Sequence, residues 1–109
     1  MSTSLTNNAS QEVELRKKRA SEEIRKIEIA RIDIIKKIQE IQNTKKVQTS
    51  IKFSTFIRKL QSISHSSTLI IEIKKLITRS LSEKEYNKQA QHLLTINELL
   101  EGEIARLKR

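Results

Sequence analysis

An all-α fold, built as an elongated helical hairpin or a three-helix bundle with coiled-coil seams, is predicted by three observations on the sequence. The 109 residues include no Pro and a single Gly, Gly102, so the tight turns that a sheet requires have almost no residues to make them. Aliphatic side chains recur every seventh residue at Val13, Ala20, Ile27, Ile34 and Ile41, well beyond the length of a strand, among Glu, Lys, Gln and Arg that favour helix. A second pattern, Tyr86, Ala90, Leu93, Asn97, Leu100, Ile104 and Leu107, alternates spacings of four and three near the C-terminal end. Isoleucine accounts for 17 residues, whereas the aromatics are limited to Phe53, Phe56 and Tyr86. A core of β-branched aliphatics with few rings suits a thin bundle better than a round globule.

Taken in order, residues 1–11 are polar, lack the apolar stretch of a secretory signal and are expected to form a disordered leader. Residues 12–109 are expected to form one helical domain. Its first helix is predicted over about 12–42, with Ile24 and Ile38 filling the column beside the seven-residue repeat and Lys17, Arg31 and Lys45 taking the rest of that column. Ile29, Ile32 and Ile35 lie off the seam, so this helix is apolar on more than one face and needs either two neighbours within the chain or a partner protein. The polar stretch 43–50 has the length of a connection between helices.

A second helical region is predicted over 51–79. Phe53, Phe56, Ile57, Leu60 and Ile63 make one stripe, and Leu69, Ile70, Ile73, Leu76 and Ile77 resume the spacing after a Ser/Thr-rich break near 62–68. The third helix is predicted over 83–107. Ser82 and Glu85 have the spacing of a capping box, with Leu81 and Tyr86 placed as a hydrophobic staple. Along this helix Asn97 is the one polar member of the seam, at a position where zippers use a buried amide to fix register and chain number. Leu94 and Ile96 flank the seam and widen it, and Gly102 lies off it.

Enzyme chemistry finds little material in this chain. Asp33 is the only Asp, Cys is absent, and His65 and His92 stand far apart on different segments, so no triad or metal motif appears and no cofactor is expected. The longest unbroken aliphatic run, Leu69-Ile70-Ile71, is far short of the ~20 residues of a membrane span. The lack of Cys leans towards a reducing, intracellular compartment.

Charge is the other informative property, because the net value is +9 and it is unevenly spread. Residues 83–109 carry equal numbers of acids and bases, so the excess lies in the first two regions. Arg16, Lys17, Lys18, Arg19, Lys52, Arg58, Lys59, Lys74 and Lys75 are therefore the candidate contacts for an acidic partner or for nucleic acid. The tetrad Arg16 to Arg19 also has the composition of a nuclear import signal, which favours nucleus over cytoplasm. Known nucleic-acid layouts fit poorly. The basic tetrad does not run directly into the C-terminal heptads as in a leucine-zipper factor, and Glu12, Glu14, Glu22 and Glu23 surround it.

The partner-helix seams are assigned to Ile24, Ile27, Ile34, Ile38 and Ile41 on the first helix and to Tyr86, Ala90, Leu93, Asn97, Leu100, Ile104 and Leu107 on the third. Whether the third helix pairs within the chain or with another chain is left open by the spacing. In layout the chain resembles the small coiled-coil subunits of kinetochore, spindle and tethering complexes. The expected function is a non-enzymatic coiled-coil adaptor or structural subunit of a multi-protein intracellular assembly, with the positive charge favouring a chromosome- or kinetochore-associated one. Its expected partners are other helical subunits in a hetero-oligomer rather than a homo-oligomer, with no membrane and no small molecule. The alternative is a small basic DNA- or RNA-binding regulator.

Overall fold

The computed structural model describes residues 2–63 and 67–109, with side chains described from residue 11 onward. Among these residues the secondary structure consists of four α-helices: α1 (Ser2–Thr44), α2 (Ser54–Ile63), α3 (Ser67–Ser82) and α4 (Tyr86–Leu107). The fold is all-α, as the periodicity predicts. The molecule measures 67 × 23 × 20 Å. At ~1.5 Å per residue, α1 alone accounts for the long dimension, while α4 covers about half of it.

The chain runs up, down, up and down. Arg31 of α1 bonds Asn97 and Glu101 of α4, whereas Gln48, just past the end of α1, bonds Gln89 near the start of α4, so α1 and α4 are antiparallel. The Lys37 Nζ lies 5.8 Å from the centroid of the Phe53 ring, and Lys26 shares a groove with Ile63, which makes α2 antiparallel to α1. Helix α3 packs on α4 and touches α2. Each helix thus lies against the next in sequence, and α4 closes the bundle against α1.

The core follows from the seams. Ile27, Ile34, Ile38 and Ile41 of α1 meet Phe53 just before α2, Phe56, Leu60 and Ile63 of α2, Ile73, Leu76 and Ile77 of α3, and Ala90, Leu93, Ile96, Leu100 and Ile104 of α4 in one buried cluster. Full burial of such a side chain contributes about 1.5–3 kcal/mol. Ala30, 1 % exposed and off the seven-residue repeat, lines the α1–α2 groove with Phe56, where its small side chain lets the two helices approach.

Several boundaries differ from the sequence expectation, each for a local reason. Helix α1 begins at Ser2 rather than near residue 12, so the expected disordered leader 1–11 is helical from its second residue. No Pro or Gly interrupts this stretch, and extending an existing helix adds one hydrogen bond for each residue fixed. The second helical region divides into α2 and α3 at the expected break, which gives the bundle four helices among the described residues. The centre of the expected break, residues 64–66 with His65, lies outside the described residues.

The capping box also fails. Ser82 closes the last turn of α3, where its Oγ donates to the Arg79 carbonyl at 3.1 Å, and α4 starts only at Tyr86 with Glu85 as its N-cap, whose side chain makes no capping hydrogen bond. Helix α3 persists through Ser82 because Ile77 and Ser80 are buried on its inner face, with Leu81 partly buried against the same core.

The buried amide of the bundle is Gln89, which the heptad pattern does not mark. Its side chain has no exposed surface, and its Nε2 donates to the Gln48 carbonyl at 2.7 Å and the Ser80 carbonyl at 3.1 Å. Its Oε1 accepts from the Gln48 backbone N–H at 2.9 Å. One amide therefore clips the α1–α2 connection to the C-terminal turn of α3. Lys45 ends α1 in the left-handed region, at φ 53°, with its N–H still donating to the Ile41 carbonyl.

Gln89→Ala leaves buried backbone groups without partners and is expected to lower stability by about 2–3 kcal/mol, read as a fall in Tm of about 10 °C or more by circular dichroism. Lys45→Gly relieves the left-handed conformation, and Gly102→Ala adds a Cβ that meets nothing within 4 Å, so each is expected to raise stability by about 0.5–1 kcal/mol, with the two effects adding.

Candidate functional site

The residues assigned to partner seams are covered, wholly or in part, by this chain itself. Ile27, Ile34, Ile38, Ile41, Ala90, Leu93, Leu100 and Ile104 are all buried, and Ile24, Tyr86 and Leu107 are partly buried against them. Helix α4 pairs within the chain. Ile96, which the spacing places beside the seam, has no exposed surface, because α4 is packed by α1 on one side and α3 on the other.

Asn97 is not a buried amide. It stands half-exposed at the α1–α4 edge, where its Oδ1 accepts from the Arg31 Nε at 3.0 Å and its Nδ2 donates to the Glu101 Oε1 at 2.9 Å. Arg31 also donates to that same Glu101 oxygen at 2.9 Å and to the Glu28 Oε2 at 3.0 Å. The polar member of one seam thus meets the cationic member of the other. A guanidinium fork on an amide and two carboxylates specifies register by geometry, although such part-exposed pairs contribute only about 0.2–1 kcal/mol each. One turn further along, Glu103 is nearly buried and pairs with Arg106, and that hydrogen bond, with the Glu103 charge, raises the Arg106 pKa. His92 pairs with Glu83 at 3.3 Å across the α3–α4 turn.

The start of the seven-residue repeat, which the seam assignment leaves out, is uncovered at Val13. Every residue from Gln11 to Arg19 is exposed, and Val13 and Leu15 keep 49 % and 51 % of their surface. The end of α4 lies near Glu23, which is close enough to add its charge to Arg106. Roughly the first 20 residues of α1, about 30 Å of helix, therefore extend past the bundle with Val13 and Ala20 continuing the repeat that is buried further on. Arg16, Lys17, Lys18 and Arg19 surround this projecting stem on all sides, since four successive residues span a full helical turn.

Ile29 and Ile32 form the other exposed apolar patch, at 48 % and 52 %, beside the groove between α1 and α2. Lys52 and Lys59 line that groove, whereas Arg58 points elsewhere on exposed α2 surface. Lys74 and Lys75 lie on the outer face of α3 around the exposed Ile71. The basic candidates are thus divided among separate surfaces rather than gathered into one strip. The heptad pattern does not show this groove, because Lys52 of the α1–α2 connection and Lys59 of α2 join the isoleucines and lysines of α1 only once α2 is folded back on α1. The off-seam positions of Ile29 and Ile32 were the only signal.

Comparison with protein-family models, with curated proteins and with solved structures finds no match to this chain. Among the described residues no group of three His, Asp or Glu could hold a metal ion, and no helix is long and apolar enough to cross a membrane.

The division into covered and uncovered seams is directly testable. Leu93→Asp with Leu100→Asp places two charges where the native side chains have no exposure and is expected to unfold the isolated chain, seen as loss of the cooperative melt. Val13→Asp with Leu15→Asp is expected to leave Tm within about 2 °C of the parent, since surface substitutions stay within about 0.5 kcal/mol.

Proposed function

We propose that the chain is a non-enzymatic helical adaptor, a structural subunit whose bundle is self-contained and whose projecting half of α1 pairs with helices of other polypeptides. The supporting observation is the mismatch of lengths. Helix α1 has 43 residues and α4 has 22, so the seven-residue repeat of α1 outruns the only long helix that covers it. A helix without tertiary packing is marginal in water, because most helical stability in proteins comes from burying an apolar face. Val13, Ala20 and the stems of Lys17 and Arg16 offer such a face to a partner.

A hetero-oligomer is the preferred assembly. The stem carries four consecutive cations, and two copies laid side by side would bring these together unless the register were offset. Acids on a partner helix would meet them without that restriction. The +9 charge supports a nuclear setting and an assembly associated with chromosomes, of which the kinetochore is one.

The experiment is the native mass of the protein in extract of its own cells, with and without nuclease, alongside amide exchange of the purified chain. The expected result is a complex well above the 12.7 kDa of the chain that survives digestion and is lost on Val13→Asp with Ala20→Asp. Amides of the first 20 or so residues should exchange freely in the isolated chain and become protected in the complex. A monomer mass in extract would overturn the proposal. A complex that collapses with nuclease would replace it with the nucleic-acid reading, carried by Arg16 to Arg19.

A further inference from the structure

The groove between α1 and α2 is separate from the projecting stem and has a chemistry of its own. Its exposed apolar positions, Ile29 and Ile32, sit one turn apart on α1, the spacing at which a helix presents two side chains to one neighbour. Around them stand Lys26, Lys36, Lys52 and Lys59, all exposed. The one acid that lines the groove, Asp33, is taken by Lys37 at 2.8 Å, and Lys37 in turn lies over the Phe53 ring. The groove therefore presents an apolar floor and four lysines that no acid in the lining neutralises.

We propose that this groove, floored by Ile29 and Ile32 and rimmed by Lys26, Lys36, Lys52 and Lys59, docks an acidic amphipathic helix of a partner protein. Complementarity decides the occupant. A partner helix with aliphatics at three- and four-residue spacing covers both isoleucines, and its flanking Asp and Glu meet lysines on both walls. A phosphate backbone satisfies the lysines but leaves the isoleucines without an apolar partner. A bilayer surface favours a convex helix face with Trp or Phe, whereas the apolar side chains here lie beside a concave junction of two helices. A second copy of this chain supplies no free matching segment, since Glu12 and Glu14 are followed at once by Arg16 to Arg19, and Glu98, Glu101 and Glu103 lie on α4, whose aliphatics are buried in its own bundle. The groove runs along α2, whose ten residues span about 15 Å, so it receives three turns of helix.

This inference shares no residue with the projecting stem, so its failure and that of the adaptor reading are separable. The test is selection from a displayed library of helices about 16 residues long, roughly 24 Å, with the full chain as bait. The expected sequences carry Asp and Glu beside aliphatics at helical spacing. The best of them should shift the methyl resonances of Ile29 and Ile32, and should bind about tenfold or more weakly to Lys36→Glu with Lys59→Glu. Both lysines are exposed, so the melt of that variant should match the parent. Recovery of no binder, of binders without acidic excess, or of binders that leave those methyls unmoved or ignore the charge reversal overturns the proposal. So does a stronger shift of the same methyls by duplex DNA or by phosphatidylserine vesicles than by the selected peptide.

Discussion

The antiparallel seam between α1 and α4 is the constraint on which the rest of the molecule depends. It gathers the largest share of the buried aliphatics, from Ile27 to Ile41 on one side and from Ala90 to Ile104 on the other, and it sets where the chain ends must lie. Once α4 is laid on the C-terminal half of α1, the remaining apolar faces of both helices have to be covered by whatever lies between them in sequence. Helices α2 and α3 do this as two short antiparallel pieces, each of which fits within the length of α4, whereas residues 54–82 as one straight helix would overrun it.

Polar groups fix the register that the aliphatics leave loose. Isoleucine against isoleucine tolerates a slip of one heptad, since each position finds a similar neighbour after seven residues. Arg31 between Asn97, Glu101 and Glu28 does not, because a planar fork has one geometry in which all three bonds form. Gln89 plays the same part at the other end of the bundle, where a displaced helix would strand a buried amide and the backbone groups of Gln48 and Ser80. Two small polar clusters near opposite ends of α4 are enough to choose one register from several of comparable apolar contact.

The fold class and the seam positions were legible in the sequence because they rest on periodicity, which is local and survives without knowledge of the partner. The buried role of Gln89 was not, since a glutamine on a helix gives no sign of whether its amide faces water or the backbone of a distant loop. Asn97 shows the converse. Its heptad position marks a seam, but the seam here has α3 on one side and α1 on the other, so a residue at its edge stays half-exposed and pairs with a cation. Ser82 and Glu85 carried the residue types of a capping box, yet the burial of Ile77 and Ser80 kept α3 helical past that point, an instance of packing overriding a local signal. The groove with Ile29 and Ile32 required α2 to be placed before its lysines could be seen to converge.

The two uncovered surfaces differ in the physics that would hold a partner, and that difference bears on how an assembly forms. The stem offers aliphatics and stems of long cations along one stretch of about 30 Å, so its pairing draws on apolar burial together with the charges of Arg16 to Arg19. The groove is short and joins two exposed isoleucines to four lysines, so its hold draws on charge, steers encounter at a distance and weakens as the Debye length falls from about 10 Å at 0.1 M to about 3 Å at 1 M. Linking the two contacts in one partner makes the second effectively intramolecular, so neither surface has to be strong by itself. This is consistent with a bundle of 12.7 kDa that leaves five large aliphatics at about half exposure while satisfying every buried side-chain polar atom among the described residues.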